Sequence, residues 1–135
     1  MKTFELMVNG FKVPAAFDEA MVEGVLRPLV DRLLTRKADA EGRLVVFLVG
    51  PPGAGKSTLS LMLQHLADER EPGALQALAM DGFHHTAVYI ASHAVCRGGE
   101  NVPMARVKGS PESFDIVKLE AAIRALKRGP VRWPA

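Results

Sequence analysis

The nine residues from Gly50 to Thr58 contain the side chains and glycines that phosphate binding requires. They fit the pattern G-x-x-x-x-G-K-[ST], in which the glycines let the backbone curl around a phosphate and the lysine supplies positive charge. The hydroxyl after the lysine suits Mg²⁺, and a helix beginning here adds the positive end of its dipole. The sequence therefore predicts a loop that binds a nucleoside triphosphate, with these contact residues: Gly50, Pro51, Pro52, Gly53, Ala54, Gly55, Lys56, Ser57 and Thr58.

The segments on either side of this loop are those that the motif needs. Before it, Leu44–Val49 is an unbroken apolar run of strand length, which predicts a buried parallel strand. After it, apolar residues recur at helical spacing from Leu59 to Leu66. The alternative is a glycine-rich turn with an incidental lysine, and that alternative does not explain the flanking strand and helix patterns.

A second apolar run, Leu75–Met80, predicts another buried strand, and Asp81 follows it directly. Open α/β sheets bind ligands at the carboxyl ends of their strands, so the carboxylate of Asp81 is a candidate for chemistry. Three roles stay open: a base that takes a proton from an acceptor hydroxyl, a group that holds Mg²⁺ through water, or a cap of the following turn.

The rest of the chain supplies elements around these two strands. Asn9-Gly10 predicts a hairpin from Phe4 to Val13, and an apolar stripe predicts a helix from Asp18 to Lys37 with a kink at Pro28. We expect residues 1–42 to pack as an appendage on a core formed by residues 43–135. Within that core we expect a short helix over 84–96, a polar loop over 97–109, and a helix that follows Ser110 and ends at Arg128.

The composition limits the class of protein. The chain has 135 residues, of which 48% are hydrophobic, so it is long enough for one folded domain. A net charge of +2 gives no reason to expect nucleic acid or an anionic membrane as the main partner. The single cysteine, Cys96, excludes an internal disulfide, and no apolar run is long enough to span a bilayer. We therefore expect a cytoplasmic protein.

Three motifs in this order resemble the phosphoribulokinase/uridine kinase/pantothenate kinase group, and most closely its bacterial nucleoside-kinase-like and fructose-transport-kinase-like members. They are the loop Gly50–Thr58, the segment Met80-Asp-Gly-Phe-His84, and the segment Lys108-Gly-Ser-Pro-Glu-Ser-Phe-Asp115. The resemblance runs from about Gly42 to the end of the chain. It implies an α/β fold of the three-layer P-loop NTPase type, with a parallel sheet between helices.

The resemblance also implies ATP-dependent phosphoryl transfer to a hydroxyl of a small molecule such as a nucleoside, a sugar or a pantothenate-like compound. ATP and Mg²⁺ would be the cofactors, with Lys56 on the phosphates and Ser57 on the metal. Asp81 would serve as the catalytic base and a metal residue. Phe83, His84 and Lys108 would lie at the acceptor site, together with Asp81.

Two features depart from that group. The connection between His85 and Lys108 has no matching roles, and the chain ends where the group continues into a further strand, a lid and a base pocket. We therefore expect an N-terminal part of a longer kinase, or a homo-oligomer that fills the gap. The competing functions are a nucleotide-binding ATPase or switch protein, and a truncated nucleotide-binding fragment with little catalysis.

Overall fold

The computed structural model describes residues 1–134 and divides the chain into two compact units, Met1–Ala77 and a second unit that begins at Leu78. The predicted boundary after Gly42 stays a prediction. The regular elements, in chain order, are β1 (Lys2–Val8), β2 (Phe11–Phe17), α1 (Glu19–Met21), α2 (Arg27–Asp39), α3 (Lys56–Arg70), α4 (Ala87–Ser92), β3 (Ala94–Arg97), β4 (Glu100–Pro103) and α5 (Ile116–Arg128). None of the helices up to Pro134 has the length and apolarity needed to cross a bilayer.

The hairpin predicted around Asn9-Gly10 is present and is longer than expected, since β1 and β2 pair antiparallel over all seven residues of each strand. Both turn residues have positive φ, 49° at Asn9 and 84° at Gly10. This left-handed pair matches the twist of the two strands, and asparagine and glycine are the residues that adopt it at least cost.

The first long helix is interrupted near Pro28, where the sequence predicts a kink. A π-helical segment, Val22–Leu26, separates α1 from α2, and the N–H of Arg27 donates to the carbonyl of Val22, five residues back. Pro28 has no N–H to offer the carbonyl of Gly24, so the regular helical ladder cannot continue through this point. The side chain of Asp18 caps the start of α1 by accepting from the N–H of Met21 at 2.8 Å.

The core of the first unit lies between the hairpin, α2 and α3. The apolar face of α3 packs there, on residues that the sequence analysis assigned to an appendage. An edge-to-face contact between Phe4 and Phe17, with ring centroids 6.1 Å apart, joins the two strands. The buried residues of this core are Phe4, Leu6, Phe17, Val22, Leu26, Val30, Met62, Leu63, Leu66 and Ala67.

The predicted fold class is wrong. The described residues form two separate two-stranded antiparallel sheets, β1–β2 and β3–β4, where the prediction had a parallel sheet between helices. The two predicted strands 44–49 and 75–80 belong to neither sheet. Phe47 is 69% exposed and Val49 86% exposed, although the prediction buried both. A strand requires ladder hydrogen bonds from a neighbour, and these apolar runs have no such neighbour within residues 1–134.

The second unit also differs from the predicted elements between residues 84 and 109. The expected helix over 84–96 is confined to α4, and Val95 lies in β3, where it is buried with Ile90 and Met104. The expected polar loop contains β4, which pairs antiparallel with β3 from Ala94 opposite Pro103 to Arg97 opposite Glu100. Two adjacent glycines, Gly98 and Gly99, close this hairpin with positive φ, which favours the turn over a continued helix.

Helix α5 begins at Ile116, whereas the sequence predicts a helix that starts directly after Ser110, at Pro111. Residues Pro111–Ser113 form a separate 3-10 turn, and Asp115 then caps α5 by accepting from the N–H of Lys118 at 3.0 Å. The helix ends at Arg128, before Gly129, as the sequence predicts. The N–H of Asp115 donates to the carbonyl of Phe83 at 2.7 Å, which ties the start of α5 to the segment after Asp81.

Candidate functional site

The loop before α3 is curled by two glycines. Gly53 has φ 77° and Gly55 has φ 81°, both in the left-handed region that a residue with a side chain rarely adopts. The N–H of Ala54 donates to the carbonyl of Pro51 at 3.2 Å, which closes a tight turn at the tip. A side chain added at Gly53 or Gly55 would meet no atom within 4 Å, so conformation and not space requires glycine there.

Lys56 is the first residue of α3, and its side chain folds back over the loop. Its Nζ donates to the carbonyl oxygens of Gly50 and Pro51, each at 2.8 Å. The ammonium group is thus held against the loop by two uncharged carbonyl oxygens. Since a carbonyl is a weaker partner for a cation than a phosphate oxygen is, an incoming anion can replace these two bonds.

The start of α3 offers free hydrogen-bond donors. The helix runs for 15 residues and has no side-chain cap at its N-terminus. Neither Lys56 nor Ser57 uses its backbone N–H in a hydrogen bond within the described chain. The hydroxyl of Ser57, at the second position of the helix, is exposed. Donors in this arrangement bind anions, and a serine hydroxyl beside bound phosphates suits Mg²⁺, which usually takes only one or two protein ligands.

Asp81, the candidate base, belongs to the second unit. It begins a 3-10 turn, Asp81–Phe83, and its side chain is exposed. The hydrogen bond of Asp81 within this turn comes from its main chain: its carbonyl accepts from the backbone N–H of His84 at 3.1 Å. The carboxylate forms no ion pair or cap within residues 1–134. No group of three or more histidine, cysteine or acidic side chains in that range could hold a metal ion by itself.

Phe83 and His84 have different surroundings. Phe83 is 1% exposed and packs edge-to-face on Trp133, with ring centroids 4.9 Å apart, so its role in the structure is packing. His84 stacks on Phe114 at 3.9 Å and places its Nδ1 2.9 Å from the carbonyl oxygen of Asp81. A carbonyl can only accept, so Nδ1 of His84 carries the hydrogen in this contact.

A cavity of about 200 Å³ lies beside this imidazole in the second unit. Its walls come from the segment 82–86 and from Tyr89, Asp115 and Lys118. Asp81 and Lys108 are not among the lining residues. Of the predicted acceptor-site residues, the structure therefore brings only Phe83 and His84 to the cavity.

Lys108 lies in a turn fixed by a buried serine. Ser113 is fully buried, and its Oγ accepts from the N–H of Gly109 at 2.9 Å and donates to the carbonyl of Ser110 at 2.7 Å. The side chain of Lys108 is exposed. The motif Lys108–Asp115 thus orders a turn within the described chain, and an acceptor contact for Lys108 stays a prediction.

Arg97 pairs with Glu112, a relationship that the sequence alone does not predict. The two side chains form parallel hydrogen bonds of 2.7 and 2.8 Å. The hydrogen bond from Arg97 is the main reason that the pKa of Glu112 is lowered to about 2. The same hydrogen bond raises the pKa of Arg97 above its ordinary value. Bidentate pairing of this kind fixes the mutual orientation of two segments 15 residues apart in the chain.

Two polar residues of the cavity, Thr86 and Asp115, are not among the site residues that the sequence predicts. Thr86 accepts from the N–H of Tyr89 at 3.2 Å and caps α4, and Asp115 caps α5. Each cap has a local signal, a polar residue three positions before the N–H that it accepts. That the two helix starts border one cavity follows from nonlocal packing, which these local signals do not report.

Comparison with known proteins gives one informative match. The chain is 38% identical over 132 residues to the uncharacterized protein YggC of Escherichia coli strain K12. The match covers 96% of this chain and 52% of YggC, so the chain spans about half the length of that curated relative. No protein-family model and no solved structure matches the chain.

These findings correct the resemblance drawn from the three motifs. The assignment to the phosphoribulokinase/uridine kinase/pantothenate kinase group is wrong, because the described residues form two small antiparallel sheets and the relative found is uncharacterized. Phosphate binding by Gly50–Thr58 stays a prediction, and it depends on the local geometry of loop and helix and not on membership of that group.

Proposed function

We propose that this protein binds Mg·ATP through the loop Gly50–Thr58 and transfers the terminal phosphoryl group to a hydroxyl of a small molecule. The observation that carries the proposal is the arrangement around Lys56. Its ammonium lies over a curl formed by Gly53 and Gly55, at the start of an uncapped helix whose first N–H groups are free. A polyphosphate is bound by a positive charge, a curled backbone loop and free N–H donors, and all three are found around Lys56.

On binding, Lys56 would exchange the carbonyl oxygens of Gly50 and Pro51 for phosphate oxygens. The backbone N–H groups of Lys56 and Ser57 would donate to the same anion. Mg²⁺, held by the phosphates and the Ser57 hydroxyl, would neutralise charge during transfer. The absence of a three-residue metal cluster in the described chain is compatible with this, because the nucleotide supplies most of the oxygen ligands.

The transfer needs a group that accepts the hydroxyl proton. As the acceptor oxygen bonds to the terminal phosphorus, the bond from that phosphorus to ADP breaks and the hydroxyl proton leaves. Asp81 is the proposed base. Its carboxylate is exposed and makes no ion pair within residues 1–134, so it is available to an acceptor.

A small-molecule acceptor in the cytoplasm fits the chain better than a nucleic acid. The net charge is +2, and basic and acidic residues are nearly balanced at 17 and 15. A protein that holds a polyanionic nucleic acid usually concentrates positive charge. The one cysteine, Cys96, is free and exposed, which suits a reducing compartment.

The test is a coupled assay for ADP release, run on the purified chain with Mg·ATP and a panel of hydroxyl compounds. We expect release that depends on an acceptor. Asp81→Asn should lower kcat about 10²-fold with little change in ATP affinity, whereas Asp39→Asn, at the exposed end of α2, should leave both unchanged. ADP release that is independent of every acceptor would indicate an ATPase or switch protein, and absence of nucleotide binding would refute the proposal.

A further inference from the structure

The turn that carries Asp81 follows a segment that no sheet orders. Residues 75–80 belong to neither sheet, so ladder hydrogen bonds do not fix the main chain before Asp81. The carboxylate forms no ion pair or cap within residues 1–134, so contacts of that kind do not fix it either. An aspartate side chain is short, so the place of its carboxylate depends on how firmly the main chain around it is held.

The side chain of Trp133 contacts this segment on both sides of Asp81. Its indole Nε1 donates to the carbonyl oxygen of Ala79 at 2.6 Å, two residues before the aspartate. Its ring packs edge-to-face on Phe83, two residues after the aspartate, with the ring centroids 4.9 Å apart. One side chain therefore bridges the segment 79–83, which has Asp81 at its centre.

The two contacts of Trp133 are of different kinds. The hydrogen bond gives the carbonyl of Ala79 an N–H donor, in place of one from a neighbouring strand. The packing contact is made with Phe83, which is 1% exposed, so the ring against which Trp133 rests is itself held by the surrounding protein. A tryptophan suits both contacts, because its ring is large enough to pack and its N–H can only donate.

Main-chain hydrogen bonds hold the rest of the turn. The N–H of Asp115 donates to the carbonyl of Phe83 at 2.7 Å, at the far end of the segment. In the middle, the N–H of His84 donates to the carbonyl of Asp81 at 3.1 Å. The indole holds the near end, at Ala79. With both ends and the middle held, the aspartate has a defined position within the second unit.

We infer that Trp133 is a positioning residue for the proposed phosphoryl transfer, and that it holds the turn so that the Asp81 carboxylate meets the acceptor hydroxyl in a set orientation. The inference rests on the proposed function, which makes Asp81 the base. Proton transfer depends on the distance and angle between base and hydroxyl, and a displacement of about 1 Å can lower a rate about 10²-fold. In this role Trp133 touches no reacting atom and acts through the main chain of residues 79–83.

Two changes at this position separate the hydrogen bond from the packing. The chain contains one tryptophan, so expression in a tryptophan auxotroph supplied with benzothienylalanine replaces the indole N–H of Trp133 by sulfur and alters no other residue. The ring keeps its shape against Phe83 and loses the donor. Trp133→Leu removes both the donor and the ring. Ile90→Val is the control for lost stability, because Ile90 is buried in the second unit in a cluster outside residues 79–83.

Hydrogen exchange followed by NMR measures the order of the turn without nucleotide. In the benzothienyl protein, exchange at the amides of Phe83 and His84 should be at least about fivefold faster than in the parent, because one hydrogen bond of the turn is lost. The leucine variant should show a larger acceleration. The reference is the amide of Met104, which donates to the carbonyl of His93 at 2.9 Å, outside the turn. In the control, exchange at Phe83 and His84 should keep its parental ratio to exchange at Met104.

Kinetics measure whether this order matters for the reaction. In the ADP-release assay, the benzothienyl protein should have a kcat about tenfold lower than the parent, with a KM for ATP within about twofold. The leucine variant should lose about 10²-fold in kcat, and Ile90→Val should keep both constants. The kcat is expressed per nucleotide-binding site, counted by calorimetric titration, so that a loss of folded protein does not imitate a loss of positioning.

Two outcomes would overturn the inference. The first is exchange at Phe83 and His84 that is as slow in the benzothienyl protein as in the parent. The second is faster exchange with an unchanged kcat, which would leave Trp133 a structural role alone. A parent chain without acceptor-dependent ADP release would refute the proposed function and with it the catalytic part of the inference. The exchange measurement needs no nucleotide, so it still decides whether Trp133 orders the Asp81 turn.

Discussion

Nζ of Lys56 lies 2.8 Å from the carbonyl oxygen of Gly50, six residues earlier in the chain. This hydrogen bond spans the loop from its first glycine to the start of α3. Within residues 1–134 no carboxylate forms an ion pair with this ammonium. If a phosphate binds as proposed, Lys56 would exchange two bonds to carbonyl oxygens for stronger bonds to phosphate oxygens.

Lys56→Met should remove most Mg·ATP binding. The substitution keeps the length of the side chain and removes the charge that is proposed to contact the phosphates. Titration calorimetry should show affinity at least about tenfold weaker than in the parent. Lys12→Met is the matched control, because Lys12 is an exposed hairpin lysine paired with Glu5 at 3.1 Å, and it should bind as the parent does. Equal affinity in the Lys56 variant would show that the loop is not the nucleotide site.

Alanine should have opposite effects at two glycines of the first unit. At Gly55, with φ 81°, a side chain forces strain worth about 1–2 kcal/mol, so Gly55→Ala should lower the free energy of unfolding. Gly24 lies in the helical region with open space around it, so Gly24→Ala should raise that free energy by about 0.4–1 kcal/mol. Urea unfolding followed by circular dichroism measures both, and a stabilising Gly55→Ala would contradict the loop geometry.

Ser113→Ala should destabilise the second unit by about 1–2 kcal/mol. The substitution removes the acceptor for the N–H of Gly109 from a fully buried position. Hydrogen exchange at Gly109, measured by NMR, should accelerate along with the loss of stability. Ser92→Ala is the control, since Ser92 is exposed and its loss should change stability by no more than about 0.5 kcal/mol.

The pair of Arg97 and Glu112 should make stability depend on pH in acid. The folded pKa of Glu112, about 2, is below the ordinary value of 4.5 because Arg97 donates hydrogen bonds to the carboxylate. A depressed folded pKa contributes stability that is complete above the unfolded pKa and is lost as pH falls through the folded one. The contribution of Glu112 should therefore decline between pH 4.5 and about 2.

Substitution separates this contribution from general acid unfolding. Glu112→Gln should show a smaller loss of stability between pH 4.5 and 2 than the parent, in thermal unfolding followed by circular dichroism. Glu100→Gln should keep the parent's profile, because Glu100 is exposed and forms no ion pair within residues 1–134. Identical profiles for parent and Glu112→Gln would exclude the pair as a source of acid sensitivity.

The sequence by itself determined the features that depend on a few neighbouring residues. Asn9-Gly10 forms the turn of a hairpin, and Gly53 and Gly55 adopt positive φ before a helix. Asp115 caps α5 by accepting from the N–H of Lys118, three residues later in the chain. In each case the partner atoms lie within a few positions along the chain, so propensity and spacing specify the conformation without reference to the rest of the fold.

Only the tertiary structure decided which apolar segments find partners. The run 44–49 has the composition of a buried strand, but a strand also needs hydrogen bonds from a neighbouring strand. Five of its six residues are exposed within the described chain, and the run joins neither sheet. The apolar face of α3 could equally have packed on the predicted parallel sheet, but it packs on the antiparallel β1–β2 hairpin and α2. The pairing of Arg97 with Glu112, 15 residues apart in the chain, likewise depends on how the segments pack in three dimensions. Burial and pairing depend on contacts distant in sequence, which periodicity along a single segment does not encode.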